Sequence, residues 1–326
     1  MTLRLLALDL GGTKLAVARI DVEGQQAEVA TVRRAATPGD AAASREVLWE
    51  LADEIVRAAE VHATGVSFGG PVDAVHGVVR TSHHVGGWAG FPLRAAAAER
   101  YGVPCSVLND ANAGALGEQR WGAARGYSDV LYVTISTGVG AGLVLGGRLY
   151  AGAHGLAGEL GHLPVAVDGP VCSCGRRGCL EAFASGPSIA RAARAAVHDQ
   201  PDRATLLRGV DADRLDARTV AAAAHRGDEI ALAVLARAGA ALGLGLASAS
   251  LLCDPEAIVL GGGVIGSGEP LLGPARAVLR ERVLGEPPPV LVSTLALEAP
   301  LYGAAAAAVD LLVGQYPSTA GVAPSG

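Results

Sequence analysis

Short apolar runs alternate along the chain with glycine-rich polar turns. Residues 3–10 form an apolar run ending in Asp9-Leu10-Gly11-Gly12-Thr13-Lys14, and a second run over 15–20 follows at once. Two such runs around a glycine turn predict a β-hairpin. From Asp40 onward, Val47, Leu48, Leu51, Ile55 and Val56 recur on one helical face, and Asp40 is suited to cap that helix. Strands are predicted over 65–68, before Gly69-Gly70-Pro71, and over 103–108, before Asn109-Asp110, with a helix over 111–121. Residues 130–135 read as a strand, 136–140 as a polar glycine turn and 141–145 as a strand running out again. The same strand–turn–strand pattern thus occurs near residues 11 and 138, which predicts an internal duplication: two domains, each opening with a hairpin whose turn can hold phosphate. Residues 186–254 read as mostly helical, 257–260 as a strand before Gly261-Gly262-Gly263, and 301–313 as a final helix.

Length supports the duplication. At about 150 residues per domain, 326 residues make two. We place a smaller N-terminal α/β domain at 1–110, with the helix over about 301–315 packing back on it, and a larger one at 111–300; the polar, proline-containing tail 317–326 is expected to fray. A net charge of −6 disfavours nucleic acid and anionic membrane as partners. Aromatic residues make up only 4 %, so the core must rely on Ala, Val and Leu. The longest uncharged stretch, residues 238–253, spans 16 positions and is rich in Ala, Gly and Ser. A membrane span needs roughly 18 to 20, so a buried helix is expected. The N-terminal apolar run is short, is interrupted by Asp9 and lacks a cleavage site, which predicts a cytoplasmic protein without a signal peptide. Cytosolic cysteines are rarely in stable disulfides. Three of the five cluster at Cys172, Cys174 and Cys179, which points to a metal; Cys105 and Cys253 stand alone and read as core residues.

The turns carry candidate chemistry. Asp9, Gly11, Gly12, Thr13 and Lys14 offer a backbone that can approach an anion, a hydroxyl, an ammonium and an acidic residue able to hold Mg²⁺ through water. The spacing is neither that of a Walker A loop nor that of a dinucleotide fingerprint, and a plain hairpin turn is the alternative. Ser136, Thr137 and Gly138 supply hydroxyls and glycine of the same kind, and Gly261, Gly262 and Gly263 follow a buried strand, where a flat ligand can lie over backbone. Asn109 and Asp110 sit at a strand end that opens a helix, where ligand sites in α/β sheets gather. Asp110 can orient a substrate hydroxyl and take its proton late in an attack on phosphorus; alternatively Asn109 or Asp110 simply caps the helix. His162, Cys172, Cys174 and Cys179 are four soft ligands suited to tetrahedral Zn²⁺, and a filled shell implies a structural ion. Glu159 and Glu181 flank this cluster as two acceptors for sugar hydroxyls, or else as solvated surface carboxylates.

Taken together, these residues resemble the ROK family of repressors and sugar kinases, within the hexokinase and actin-like ATPase group. The resemblance runs from Asp9 to about Ala308 and is most specific in Gly158-Glu159-Leu160-Gly161-His162 with Cys172-x-Cys174-Gly-x-x-Gly178-Cys179-Leu180-Glu181; Asp9 to Lys14 and Asn109 to Ala113 support it. It implies an α/β fold of two actin-like (ribonuclease H-like) domains, with ATP and a hexose in a cleft and a zinc-bearing loop. Asp110 is implied as the catalytic base, with Asn109, Glu159, His162 and Glu181 on sugar hydroxyls, His162 using one ring nitrogen for zinc and the other for sugar. The Gly12 and Gly138 loops are implied for the ATP phosphates, and Gly261 to Gly263 for the adenosine. The implied activity is an ATP-dependent sugar kinase, foremost a glucokinase, with Mg²⁺ and structural Zn²⁺, acting as a homo-oligomer (dimer or tetramer). N-acylhexosamine or fructose kinases on the same scaffold are the alternative. Sugar-responsive regulators of this kind carry an added N-terminal helix-turn-helix, for which a phosphate loop starting at Asp9 leaves no room. Two departures fall on the sugar side: Gly69-Gly70 stands where the family has Pro-Gly, keeping Gly70 for the sugar, and a histidine, His84, stands where an Asn often precedes the tryptophan matching Trp88.

Overall fold

The computed structural model describes residues 2–82, 85–211 and 214–316. Strands β1 (Leu3–Leu10), β2 (Lys14–Glu23) and β3 (Gln26–Ala36) form an antiparallel meander. Helix α1 (Ala41–Ala58), strand β4 (Ala63–Phe68), the short hairpin β5 (Val72–Asp73) and β6 (Val78–Val79), helix α2 (Leu93–Tyr101), strand β7 (Cys105–Asn109) and helix α3 (Asp110–Trp121) follow. Strands β4 and β7 join β1 in parallel, giving the order β3-β2-β1-β4-β7. The chain continues as β8 (Val130–Ile135), β9 (Val139–Leu145), β10 (Arg148–Tyr150), α4 (Glu181–Ala184), α5 (Gly186–Asp199), α6 (Ala217–His225), α7 (Glu229–Cys253), β11 (Ala257–Gly261), α8 (Glu269–Arg282), β12 (Val290–Val292) and α9 (Ala299–Leu312). The second five-stranded sheet has the order β10-β9-β8-β11-β12, with β11 parallel to both β8 and β12. Both sheets therefore repeat one arrangement, a three-strand meander followed by two added strands, as the duplicated pattern predicts.

The chain divides into two compact units. The first runs through Ser128 and adds Gly142–Ala157 and the segment from Ser293; the second takes Asp129–Ala141 and Gly158–Val292. The division expected at residue 110 thus lies beyond α3, and the N-terminal unit takes in more chain than expected. Helix α3 stays with the first unit because it packs backbone to backbone on α9. A Cβ at Gly303 would stand 1.6 Å from the Ala113 carbonyl oxygen, and one at Gly117 would stand 2.6 Å from that of Ala299. Alanines on α9 serve the same end, so the alanine run 304–308 is a packing face.

The first sheet is covered on both sides, which explains the unbroken apolar character of β1. Leu6, Leu8 and Leu10 pack with Leu48, Ala52 and Leu93 of α1 and α2, while Leu5 and Ala7 face Leu301, Ala304 and Ala308 of α9. Asp40 caps α1 by accepting from the Ala43 N–H at 2.9 Å. Edge strand β3 escapes the sequence pattern because its residues are only partly buried and it carries Glu28, Arg33 and Arg34, as edge strands often do. Helix α8 escapes it because Pro270 and Pro274 lie within it. Helix α7 extends beyond the uncharged stretch to 25 residues. It is thereby long and apolar enough to cross a membrane, but 67 % of its most apolar window is buried within the protein, as befits a core helix. The expected fraying of 317–326 and the expected role of His84 lie outside the described residues.

Candidate functional site

In the first unit the carboxyl ends of β1, β4 and β7 lie side by side, and Asp9 pairs in register with Ser67, as Phe68 does with Asn109. The turn after β1 is fastened at both sides. Gly11 N–H donates to the Lys14 carbonyl at 3.0 Å, Gly69 N–H donates to the Leu10 carbonyl at 2.8 Å and Thr37 N–H donates to the Thr13 carbonyl at 3.2 Å. The Thr37 hydroxyl donates to the Gly11 carbonyl at 2.7 Å. Thr13 and Lys14 are left exposed at the tip.

The Asn109-Asp110 pair divides its labour. Asn109 is the N-cap of α3: its Oδ1 accepts from Ala111 N–H at 3.0 Å and Asn112 N–H at 3.3 Å, and its Nδ2 donates to the Gly70 carbonyl at 3.2 Å. Asp110 is the first residue of α3, and its Oδ1 also accepts from Ala111 N–H, at 2.8 Å. The capping role thus falls chiefly to Asn109, which also ties the Gly70 loop to the strand end.

Asp9 holds a charge at some cost. Burial, reinforced by the neighbouring Asp110 carboxylate, pushes its pKa up to about 7, against the opposing hydrogen bond from Ser67 and the charge of Lys14. The Ser67 hydroxyl, fully buried, donates to Asp9 Oδ1 at 2.8 Å. Two carboxylates in mutual repulsion beside a glycine turn suit a divalent cation. Since the unfolded chain releases the Asp9 proton near pH 4 and the folded chain near pH 7, the native state binds more protons between those values. Stability from this group is full below about pH 4 and is lost as pH rises through about 7. Wild type is therefore expected to lose up to about 3 kcal/mol relative to Asp9→Asn between pH 5 and 8. Urea unfolding of both proteins at the two pH values measures this, and parallel losses would show that Asp9 ionises normally.

The second unit carries the other predicted residues. The 136–138 turn is closed by Ser136 N–H to the Gly138 carbonyl at 2.9 Å, and Gly186 N–H donates to the Ser136 carbonyl at 2.8 Å. Gly262 has φ +88°, and a Cβ there would stand 2.3 Å from the Ile135 carbonyl oxygen; no atom lies within 4 Å of a Cβ placed at Gly263, so its face is open. Glu159 precedes the short 3₁₀ turn Leu160–His162. A cavity of about 370 Å³ is lined by Thr137, Ser173, Glu181, Ser185, Ser188 and Arg191, among others.

The cysteine cluster converges as the spacing requires. One donor atom each from His162, Cys172, Cys174 and Cys179 lies within 4.8 Å of the others. Cys172 Sγ is 3.7 Å from His162 Nδ1, and Cys174 Sγ is 3.8 Å from Cys179 Sγ. Donors about 2.0 to 2.3 Å from a tetrahedral zinc ion stand roughly 3.5 to 3.8 Å apart, so these two pairs stand at that ion's spacing, and the donor types suit it. Gly178 makes the loop possible: at φ +76°, a Cβ would meet the Ala166 carbonyl oxygen at 1.7 Å. Since Nδ1 faces the sulfurs, Nε2 of His162 is turned to the Glu159 carboxylate, 4.0 Å away.

Several residues here were not singled out from sequence, among them Ser67, Ser173 and Arg191. Ser67 had a visible signal, a hydroxyl in an otherwise apolar run. Ser173 and Arg191 had none, being ordinary polar residues until the fold brings them to the cavity.

A ROK family model matches residues 5–310. The glucokinase of Thermotoga maritima is 34 % identical over 295 residues, covering 90 % of this chain and 90 % of that protein. The N-acetylmannosamine kinase of Shigella flexneri is 36 % identical over 268 residues, covering 80 % and 83 %. The crystal structure of a ROK family glucokinase from Streptomyces griseus in complex with glucose and AMPPNP superposes with a TM-score of 0.82 at 33 % identity, covering 94 % of this chain and 99 % of that one.

Proposed function

The chain belongs to the ROK family, and from that premise we propose that it transfers the terminal phosphoryl group of ATP to a hexose, converting glucose to glucose 6-phosphate. The observation that carries the reading is the zinc-type loop. It holds three candidate sugar acceptors, Glu159, His162 and Glu181, around one fixed cluster. Relatives above 30 % identity that span most of both chains and are themselves sugar kinases support it.

The roles follow from the local chemistry. Asp110 orients the attacking hydroxyl and accepts its proton as the oxygen bonds to phosphorus. Gly70 and Asn109 line the sugar on the same side. The turn Gly11, Gly12, Thr13 and Lys14 is read as binding phosphate oxygens, and so is the turn Ser136, Thr137 and Gly138. The turn Gly261 to Gly263 is read as taking the adenosine at the open face of Gly263, while Gly261 and Gly262 pack against Tyr132 and Ile135. Asp9 would hold Mg²⁺, which neutralises charge on the phosphates when bound with the nucleotide. Zn²⁺ in the Cys-His cluster is structural. The architecture is read as two actin-like domains, and the protein as a cytoplasmic homo-oligomer that feeds glycolysis.

The other reading is an N-acylhexosamine kinase, favoured by the 36 % identity to the Shigella protein and by Gly69 in place of a stiff proline beside Gly70. A coupled ADP-release assay over glucose, mannose, fructose and N-acetylhexosamines separates the two. Glucose is expected to show a kcat/KM about tenfold or more above the rest. Preference for an N-acetylhexosamine would move the assignment to that class, and no turnover with any sugar would remove the enzyme.

A further inference from the structure

The carboxylate of Glu181 does more than wait for a sugar. Its Oε2 accepts from the Val139 N–H at 3.1 Å, at the exit of the 136–138 turn. A Cβ on Gly138 would stand 2.7 Å from that same oxygen, so the glycine is what lets the carboxylate lie against the turn. Its Oε1 accepts from the Ser173 hydroxyl at 2.7 Å, and Cys172 Sγ lies 3.7 Å from this oxygen. Ser173 itself stands between two members of the metal cluster, Cys172 and Cys174.

With a metal on the cluster, Cys172 is a thiolate and has no proton to donate. Ser173 is then the side-chain donor to Oε1 among the described residues. We propose that Ser173 is a positioning residue for the nucleotide. Its hydroxyl clamps Glu181 against the main chain of the phosphate turn, so that the zinc loop, the sugar acceptor and the phosphate-binding turn are set as one piece. The inference rests on the sugar kinase reading and adds to it a physical link between the two substrates. A carboxylate has about four acceptor positions. A sugar hydroxyl on Glu181 therefore adds to the two bonds already made, and it further orders the turn that receives the phosphates.

The test uses Ser173→Ala and Ser173→Thr in the zinc-loaded full chain, with zinc content measured for each. Affinity for a non-hydrolysable ATP analogue is read by calorimetry, with and without saturating glucose. In wild type glucose is expected to tighten the analogue several-fold. Ser173→Ala, with its zinc intact, is expected to weaken the analogue by about tenfold, the scale of a hydrogen bond to a charged group, and to lose most of the glucose effect. Ser173→Thr keeps the hydroxyl and is expected to restore both. Unchanged analogue affinity and glucose effect in Ser173→Ala would overturn the clamp, as would a Thr variant as impaired as the Ala variant, or loss of zinc from the Ala variant. Wild type that binds no analogue at all would instead sink the kinase reading beneath it.

Discussion

Asp110→Asn is expected to lower kcat by about a thousandfold, the scale of a lost general base, while leaving substrate KM values within a few-fold. The substitution is well suited to isolate proton transfer. Asn keeps an Oδ1 to accept from Ala111 N–H, and Asn109 continues to cap α3, so helix and strand end remain in place. It also removes a like charge beside Asp9, which should lower that carboxyl's pKa somewhat while burial still holds it up. Steady-state kinetics with glucose and ATP, together with a thermal melt showing an unchanged Tm, measure the effect. Turnover untouched by the substitution would show that Asp110 takes no proton.

Loss of the metal is expected to cost both stability and activity. Purified protein should carry about one zinc ion per chain, and Cys179→Ser should carry little. Removing the ion releases the loop that holds Glu159, His162 and Glu181. Cys179 is buried, and its neighbours tie the loop together: Leu180 N–H donates to the Leu163 carbonyl at 2.9 Å and Val165 N–H to the Gly178 carbonyl at 2.8 Å. The metal-free protein is expected to melt on the order of 10 °C lower and to turn over at least about a hundredfold more slowly. Elemental analysis, differential scanning calorimetry and kinetics on chelated and zinc-restored protein check this. A chelated protein with the Tm and turnover of the untreated one would end the structural-zinc assignment.

Much of the site was legible because its signals are local. Three cysteines and a histidine at tight spacing read as a metal set without any fold, since chain stiffness alone brings such neighbours together. The hairpins around residues 11 and 138 were legible because each is two apolar runs joined by a glycine turn. The cap was not: Asn109 and Asp110 are adjacent and either can accept from a helix N–H. Only the direction of the β7–α3 junction decides that Asn109 carries most of it. Nor does a sequence tell which imidazole nitrogen of His162 meets the sulfurs.

By itself, then, the sequence determined the strand and helix periodicities, the glycine turns, the grouping of one histidine with three cysteines and the repeated strand–turn–strand pattern, all properties of neighbours along the chain. The tertiary structure alone decided that the first unit reaches past α3, because the α3–α9 contact joins glycines nearly two hundred residues apart. It alone placed the buried Ser67 hydroxyl on Asp9 and the Ser173 hydroxyl on Glu181. Such pairings depend on which strands and loops come to lie side by side, and that is fixed by burial of whole faces rather than by any short stretch of residues.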